Sequence, residues 1–238
     1  MSGHSKWSTI KREKGAKDAK RGAVFTKLGN QIAIAARGGT DPSLNSSLAL
    51  AIEKAKAANM PMNNIQRAID RVSDKNAAQL EEIVYEGYGP GGTAIIVEVA
   101  TDNRNRTFPE IKHTFSKAGG AVAEPGSVLF QFTRRGVITL GVTGDADELL
   151  MSVLDAGAED AVVDGDDMLV YTDMKDLHAV RQQLMAGGLT VKDAELSYVP
   201  NSMVPIDTAE TEEKLFRLLD MLDDLDDVVN VYNNADVK

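Results

Sequence analysis

Lys6, Lys11, Arg12, Lys14, Lys17, Lys20, Arg21 and Lys27 place eight cations, against two acids, in the first thirty residues of a 238-residue chain with net charge -10. The chemistry open to such a block is neutralisation of a phosphate backbone, because each cation displaces condensed counterions. The bias is regional. Residues 1–72 hold 13 basic and 5 acidic side chains, a net of +8, and residues 73–238 hold 13 basic and 31 acidic, a net of -18. A solvated basic tail has the same composition, yet this division favours a nucleic-acid-binding end and a separate acidic remainder. Trp7, the single tryptophan, sits among Lys6, Lys11 and Arg12. It can stack on a base, worth about 1–3 kcal/mol in single-stranded complexes, or pack the arm onto a helical bundle. Lys20 and Lys27 are a heptad apart and project from one side of a helix that reaches back that far, whereas Arg21 leans toward the Phe25/Leu28 stripe. The patch supplies affinity and little sequence reading.

Other segments with chemical potential read as structural. Gly87-Tyr-Gly-Pro-Gly-Gly92 resembles a phosphate-cradling loop, but such a loop needs a following helix and a Lys-Ser/Thr pair. The next residues, Thr93–Ala100, are β-branched and apolar, so a hairpin connection is expected. Asp102-Asn-Arg-Asn-Arg106 precedes a helix, with Asp102 or Asn103 as cap and Arg104 and Arg106 left to face solvent or an anion. Arg134-Arg135 bridges acidic neighbours or adds a further anion contact. His4, His113 and His178 are isolated and lack zinc-ligand spacing. The acid pairs Asp166-Asp167, Asp223-Asp224 and Asp226-Asp227 read as solvated turns or an outer helix face, a weak divalent-cation site being the alternative. There is no cysteine, which removes disulfides, thiolate catalysis and Cys-type zinc sites. No catalytic residue, metal, cofactor or small-molecule substrate is expected, and the chain is read as no enzyme. The apolar run around Ala94–Val97 is too short to cross a bilayer. With no apolar segment behind the N-terminal charges, the reading is a cytoplasmic protein with no membrane partner.

The elements that must carry these residues follow from periodicity. Phe25, Leu28, Ile32 and Ala35 recur at helical spacing up to Gly38-Gly39; Asp41-Pro42 is expected to open a second helix carrying Leu44, Leu48, Ile52 and Ala55 to Asn59, ended by Pro61. Met62, Ile65, Ile69 and Val72 mark a third. Residues before Gly22 show no apolar stripe and are expected to form an arm that orders on binding. Strands are predicted over 83–86, 94–100, 128–133, 137–142, 161–163, 168–172, 194–199 and 228–232, with helices near 106–117, 146–156, 176–186 and 210–225. Block 136–200 reads β-α-β-β-α-β, the ferredoxin-like order. The flanks, 80–134 and 201–238, cannot each bury a core alone. The expected fold class is therefore α+β. It comprises an N-terminal three-helix domain (1–79, with its arm), a discontinuous ferredoxin-like domain (80–134 and 201–238), and an acidic ferredoxin-like domain (135–200) inserted in it.

Several motifs in order resemble one family. Gly3-His-Ser-Lys-Trp7, Asp18-Ala-Lys-Arg-Gly22 with Phe25-Thr-Lys27, Tyr85-Glu-Gly-Tyr-Gly-Pro-Gly-Gly-Thr-Ala94, Thr101-Asp-Asn-Arg-Asn-Arg-Thr107, Phe115-Ser-Lys-Ala-Gly-Gly120 and Leu219-Asp-Met-Leu-Asp-Asp224 are similar to the YebC/PmpR family. Its eukaryotic relative is the mitochondrial translational activator of cytochrome c oxidase. The resemblance covers nearly the full chain and departs at Ala121–Pro125. It implies three domains, a helical one followed by two ferredoxin-like modules with one splitting the other, and neither a catalytic residue nor an obligatory cofactor. It also implies DNA-binding transcriptional regulation, or, as some members are described, action on ribosomes stalled at proline-rich sequences.

The expected function is nucleic-acid-binding control of gene expression, through DNA or through ribosomal RNA on the ribosome. A protein scaffold without nucleic acid is the third hypothesis. The expected binding residues are Lys6, Trp7, Lys11, Arg12, Lys14, Lys17, Lys20, Arg21 and Lys27, with Arg104 and Arg106 as secondary contacts. No helix-turn-helix spacing or recognition helix is evident in the sequence, and a basic arm with one aromatic suits shape-driven RNA contact.

Overall fold

The computed structural model describes residues 18–74, 79–142 and 144–237, with side chains from Gly22 onward. Seven α-helices are found among the described residues, with two antiparallel four-stranded sheets and a two-stranded parallel pair. Phe132–Asn201 forms one compact unit; the described residues of Glu13–Gln131 and Ser202–Lys238 form the other.

The larger unit begins with α1 (Asp18–Ala36), α2 (Ser46–Ala57) and α3 (Met62–Asp70). Leu28, Ile32 and Ala36 repeat every four residues along α1 and meet Leu48, Ile52, Ala55, Ile65 and Ile69 in one buried cluster. The start of α2 differs from the expected one. Asp41 is spent in a turn, accepting from the Ser43 amide at 2.9 Å and the Ser43 hydroxyl at 2.7 Å. Asn45 caps α2 instead, accepting from the Leu48 amide at 3.1 Å while its Nδ2 donates to the carbonyls of Ala35 (2.7 Å) and Gly39 (2.8 Å). One amide side chain thus ties the end of α1 to the start of α2, and an aspartate, which cannot donate, would lose that tie. Leu44 falls before the helix and is 88% exposed. Pro61 does not merely end α2. It stands at the N-cap of α3, and its carbonyl accepts from Asn64 and Ile65. Met62 and Val72 are exposed, so the α3 stripe is Ile65 and Ile69 alone.

The sheet of this unit has the order β3-β1-β2-β9, from β1 (Glu81–Tyr88), β2 (Ala94–Thr101), β3 (Ala121–Val122) and β9 (Val228–Asn233). Helices α4 (Arg104–Lys117) and α7 (Ala209–Asp223) cover one face. Alternation in β2 sends Ile95, Val97 and Val99 into that core with Ile111, Phe115, Leu215, Leu218 and Leu222. On the other face of β2, Glu98 accepts from Asn230 Nδ2 and the Tyr232 hydroxyl, each at 2.9 Å. The glycine-rich stretch closes the β1–β2 hairpin: Pro90–Gly92 is a single tight turn, Gly91 sits at φ 76°, and the Gly89 amide donates to the Thr93 carbonyl at 2.8 Å. A short parallel pair, β8 (Val204–Ile206) with β10 (Ala235–Val237), was not foreseen.

Only the last two residues of the strand expected over 128–133, Phe132 and Thr133, are extended. The buried Glu86 carboxylate takes the amides of Gly126 (2.5 Å), Val128 (2.6 Å) and Leu129 (2.7 Å). Those amides are thereby removed from any strand ladder, and Leu129–Gln131 turns tightly instead. One uninterrupted strand, β4 (Phe132–Gly141), then opens the smaller unit. With α5 (Ala146–Asp155), β5 (Asp160–Asp164), β6 (Asp167–Thr172), α6 (Leu177–Ala186) and β7 (Val191–Pro200), it gives the β-α-β-β-α-β order and the sheet β5-β6-β4-β7. Every neighbouring pair is antiparallel, the ferredoxin-like arrangement. Asp145 caps α5 by accepting from Asp147 (2.8 Å) and Glu148 (3.3 Å).

Candidate nucleic-acid interface

The residues nominated for phosphate contact fall into three groups. Lys6, Trp7, Lys11, Arg12, Lys14 and Lys17 lie outside the described residues. Lys20 and Arg21 occupy the first turn of α1, with side chains outside those described. Lys27, Arg104 and Arg106 are fully placed.

Lys27 is buried, and its Nζ pairs with the Asp223 carboxylate at 3.0 Å and also donates to the Asp223 carbonyl. A phosphate would have to displace that pair, so Lys27 as placed ties α1 to the end of α7. Sequence spacing located Lys27 on a helix but not the acid 196 residues away that claims it.

Arg106 is committed in a similar way. Its Nη2 lies 2.9 Å from Asp227 and 3.4 Å from Asp102. Asp227 also accepts from the Thr101 hydroxyl at 3.0 Å and the Thr107 hydroxyl at 2.5 Å. Asn103, the cap of α4, donates its amide to Thr101 Oγ1 at 2.9 Å and accepts from the Arg106 amide. The segment from Thr101 to Thr107 therefore wraps one carboxylate and launches α4. Partial burial pushes the Asp227 carboxyl up, but the hydrogen bonds from Thr107, Arg106 and Thr101 outweigh it and hold it below its ordinary value. The Arg106 guanidinium is shifted up by the same bond.

With the folded pKa below the unfolded one, the contribution to stability is fully present above the usual carboxylate range near about 4 and is lost as pH falls through the folded value. Asp227→Asn is expected to cost about 1–3 kcal/mol at pH 7, because Arg106 and the Thr101 and Thr107 hydroxyls lose a charged acceptor. The gap to the unchanged protein should narrow below about pH 4. Urea midpoints from pH 7 to pH 3 check both, and a gap that does not change with pH would exclude the linkage.

Arg104 is exposed on the first turn of α4, with no ion-pair or hydrogen-bond partner among the described residues. Two features were missed by the sequence reading. First, α2 and α3 are joined by only four residues, with Asn59 in the left-handed region at φ 59°. Asn63, Gln66 and Arg67 are exposed on α3, and these are the side-chain types that read base edges. Second, Tyr85, Phe108 and Lys112 gather around Arg104 at a cleft. Periodicity could have found this group, since Arg104, Phe108 and Lys112 repeat at every fourth residue.

Two arginines of the smaller unit are used internally. Arg135 lies 3.6 Å from Glu159, and the Arg134 guanidinium sits 5.5 Å from the Tyr198 ring centre. No group of three or more His, Asp or Glu side chains is placed to hold a metal ion among the described residues, and no described helix is long and apolar enough to cross a membrane.

Comparison with known proteins gives consistent matches over the length of the chain. Residues 5–75 match the family described as TACO1/YebC protein N-terminal domain, and residues 80–235 match TACO1/YebC second and third domain. A protein of Roseiflexus castenholzii, called a probable transcriptional regulatory protein, is 51% identical over 100% of this chain and 96% of its own. A protein of Acidithiobacillus ferrooxidans with the same description is 48% identical over 100% and 95%. The crystal structure of a conserved hypothetical protein from Aquifex aeolicus superposes with a TM-score of 0.89 at 40% identity, over 98% of this chain and 97% of that one.

Proposed function

This chain belongs to the TACO1/YebC family, and we propose that it is a nucleic-acid-binding regulator of gene expression that acts by binding rather than catalysis. The observation that carries the reading is the confinement of net positive charge to one end, +8 over residues 1–72 against -18 over the rest. Such a division concentrates attraction for phosphate at one end and repels it from the remainder. The description of relatives about half identical along the whole chain as probable transcriptional regulatory proteins supports the regulatory side.

Duplex DNA is the first target. The four-residue link between α2 and α3 has helix-turn-helix spacing, and the exposed Asn63, Gln66 and Arg67 on α3 give that helix something to read with. Ribosomal RNA is the second reading, favoured by Trp7 among the arm cations, since an aromatic stacks on unpaired bases and not on a paired duplex.

Ultraviolet crosslinking in cells, with bound DNA and bound RNA sequenced from one sample, tests both. Discrete DNA peaks that depend on the first 72 residues support the regulator. Crosslinks concentrated in ribosomal RNA transfer the function to translation. Recovery of neither, above the level of a variant with the arm charges neutralised, rejects nucleic-acid binding.

A further inference from the structure

We propose that a cleft between β1, the first half of α4 and the segment after β3 receives one unpaired nucleobase of a single strand, with the adjoining phosphate held by Arg104 and Lys112. This deepens the nucleic-acid reading above and rests on it.

The cleft encloses about 470 Å³, within the size range of small-ligand sites, and Tyr85, Arg104, Phe108, Lys112, Glu124 and Pro125 are among its walls. Arg104, Phe108 and Lys112 lie at successive four-residue steps of α4 and so share a face, a ring between two cations. Phe108 is 40% exposed, and its ring centre is 5.6 Å from that of Tyr85 with the planes 34° apart. A lone exposed phenylalanine is ordinary; one flanked by uncommitted cations above a cavity is a stacking platform. The side chains of both cations lack a hydrogen-bond or ion-pair partner among the described residues, in contrast to Arg106, which is paired with Asp227.

Tyr85 supplies the independent observation. Its side chain is buried (7% exposed), and its hydroxyl has no hydrogen-bond partner among the described residues. A buried hydroxyl without a partner is costly, and such groups ask for an explanation. The polar edge of a base entering beside Phe108 would provide the partner. Two acids line the same cleft. Glu86 is already satisfied by three backbone amides, so its charge is met inside the protein. Glu124 is exposed, its carboxylate without a partner among the described residues, and it can accept from the exocyclic amine of a base. An extended peptide would fill the apolar walls but leave both cations unmatched. The nucleotide matches ring, cations and hydroxyl together.

The test uses the full chain and ten-nucleotide single strands of RNA and of DNA carrying one 5-iodouracil, with a duplex of the same sequence alongside. Irradiation should attach the strand within the peptide holding Tyr85 or that holding Phe108. Phe108→Ala should weaken single-strand binding about tenfold and leave duplex binding within twofold. Lys112→Glu sits on an exposed helical position, leaves the core intact, and should lower the single-strand salt slope by about 0.7. Tighter RNA than DNA binding with these losses assigns the occupant to RNA; equal binding supports either strand. Single-strand affinity unchanged in both variants overturns the cleft while leaving the nucleic-acid reading intact if the duplex still binds. Failure of the unchanged protein to bind strand or duplex overturns both.

Discussion

Replacing Lys11 and Arg12 by glutamate is expected to weaken duplex binding about 60-fold or more at 0.1 M salt and to flatten its salt dependence. The magnitude comes from counterion release. Each phosphate contact contributes about 0.9 to the slope of log affinity against log salt, so between 1 M and 0.1 M each is worth nearly one decade. Two lost contacts remove about 1.8 from the slope, and the introduced negative charges add repulsion. Lys27→Glu is the informative contrast. Lys27 is buried against Asp223, and reversing it places two carboxylates together in a partly buried site, so it should lower the melting temperature. Fluorescence anisotropy over a salt series, with melting curves for both variants, separates the effects. An unchanged slope for the Lys11/Arg12 variant would sink the assignment of phosphate contact to the arm.

That contrast also marks the limit of reading charge from sequence. Spacing places a lysine on a helix face but says nothing of an acid that arrives from far along the chain, as Asp223 does for Lys27 and Asp227 for Arg106. Local rules did well where the determining atoms are local. The hairpin at Gly87–Gly92 and the β-α-β-β-α-β order of the smaller unit follow from residues within a few positions of one another. They failed where one side chain served two elements. Asn45 took the cap from Asp41 because it could also donate to the end of α1. Glu86 took the first residues of an expected strand out of extended structure by binding amides 40 or more residues away. The cleft was hidden for the same reason. Its three α4 residues form a legible stripe, but Tyr85 joins them only once β1 lies beside that helix.

Gly87→Val is expected to destabilise the larger unit by about 3 kcal/mol or more, near the upper end of overpacking effects. Gly87 lies in β1 between Ile95 of β2 and Val122 of β3. A Cβ placed there would lie 2.5 Å from Phe115 Cε1 and 2.8 Å from the Ala121 carbonyl oxygen. Neither neighbour yields easily: Phe115 is fully buried, and the carbonyl is backbone of the adjoining strand. For a protein of this size such a loss lowers the melting temperature by about 6–12 °C. Calorimetry measures it, and hydrogen exchange should locate the lost protection in β1, β3 and α4. The two clashes can be told apart with a double mutant. Phe115→Ala alone costs about 3–5 kcal/mol as a cavity, but a valine at position 87 partly fills the space the ring vacates. The combined loss should therefore fall short of the sum by about 1 kcal/mol or more. Strict additivity would mean that the Ala121 carbonyl, and not the ring, dictates glycine at this position. In either case the constraint keeps β1 close against β3 and α4, the elements that bring Tyr85 beside Phe108. A variant that melts early should then also lose single-strand binding at temperatures where its arm still contacts duplex.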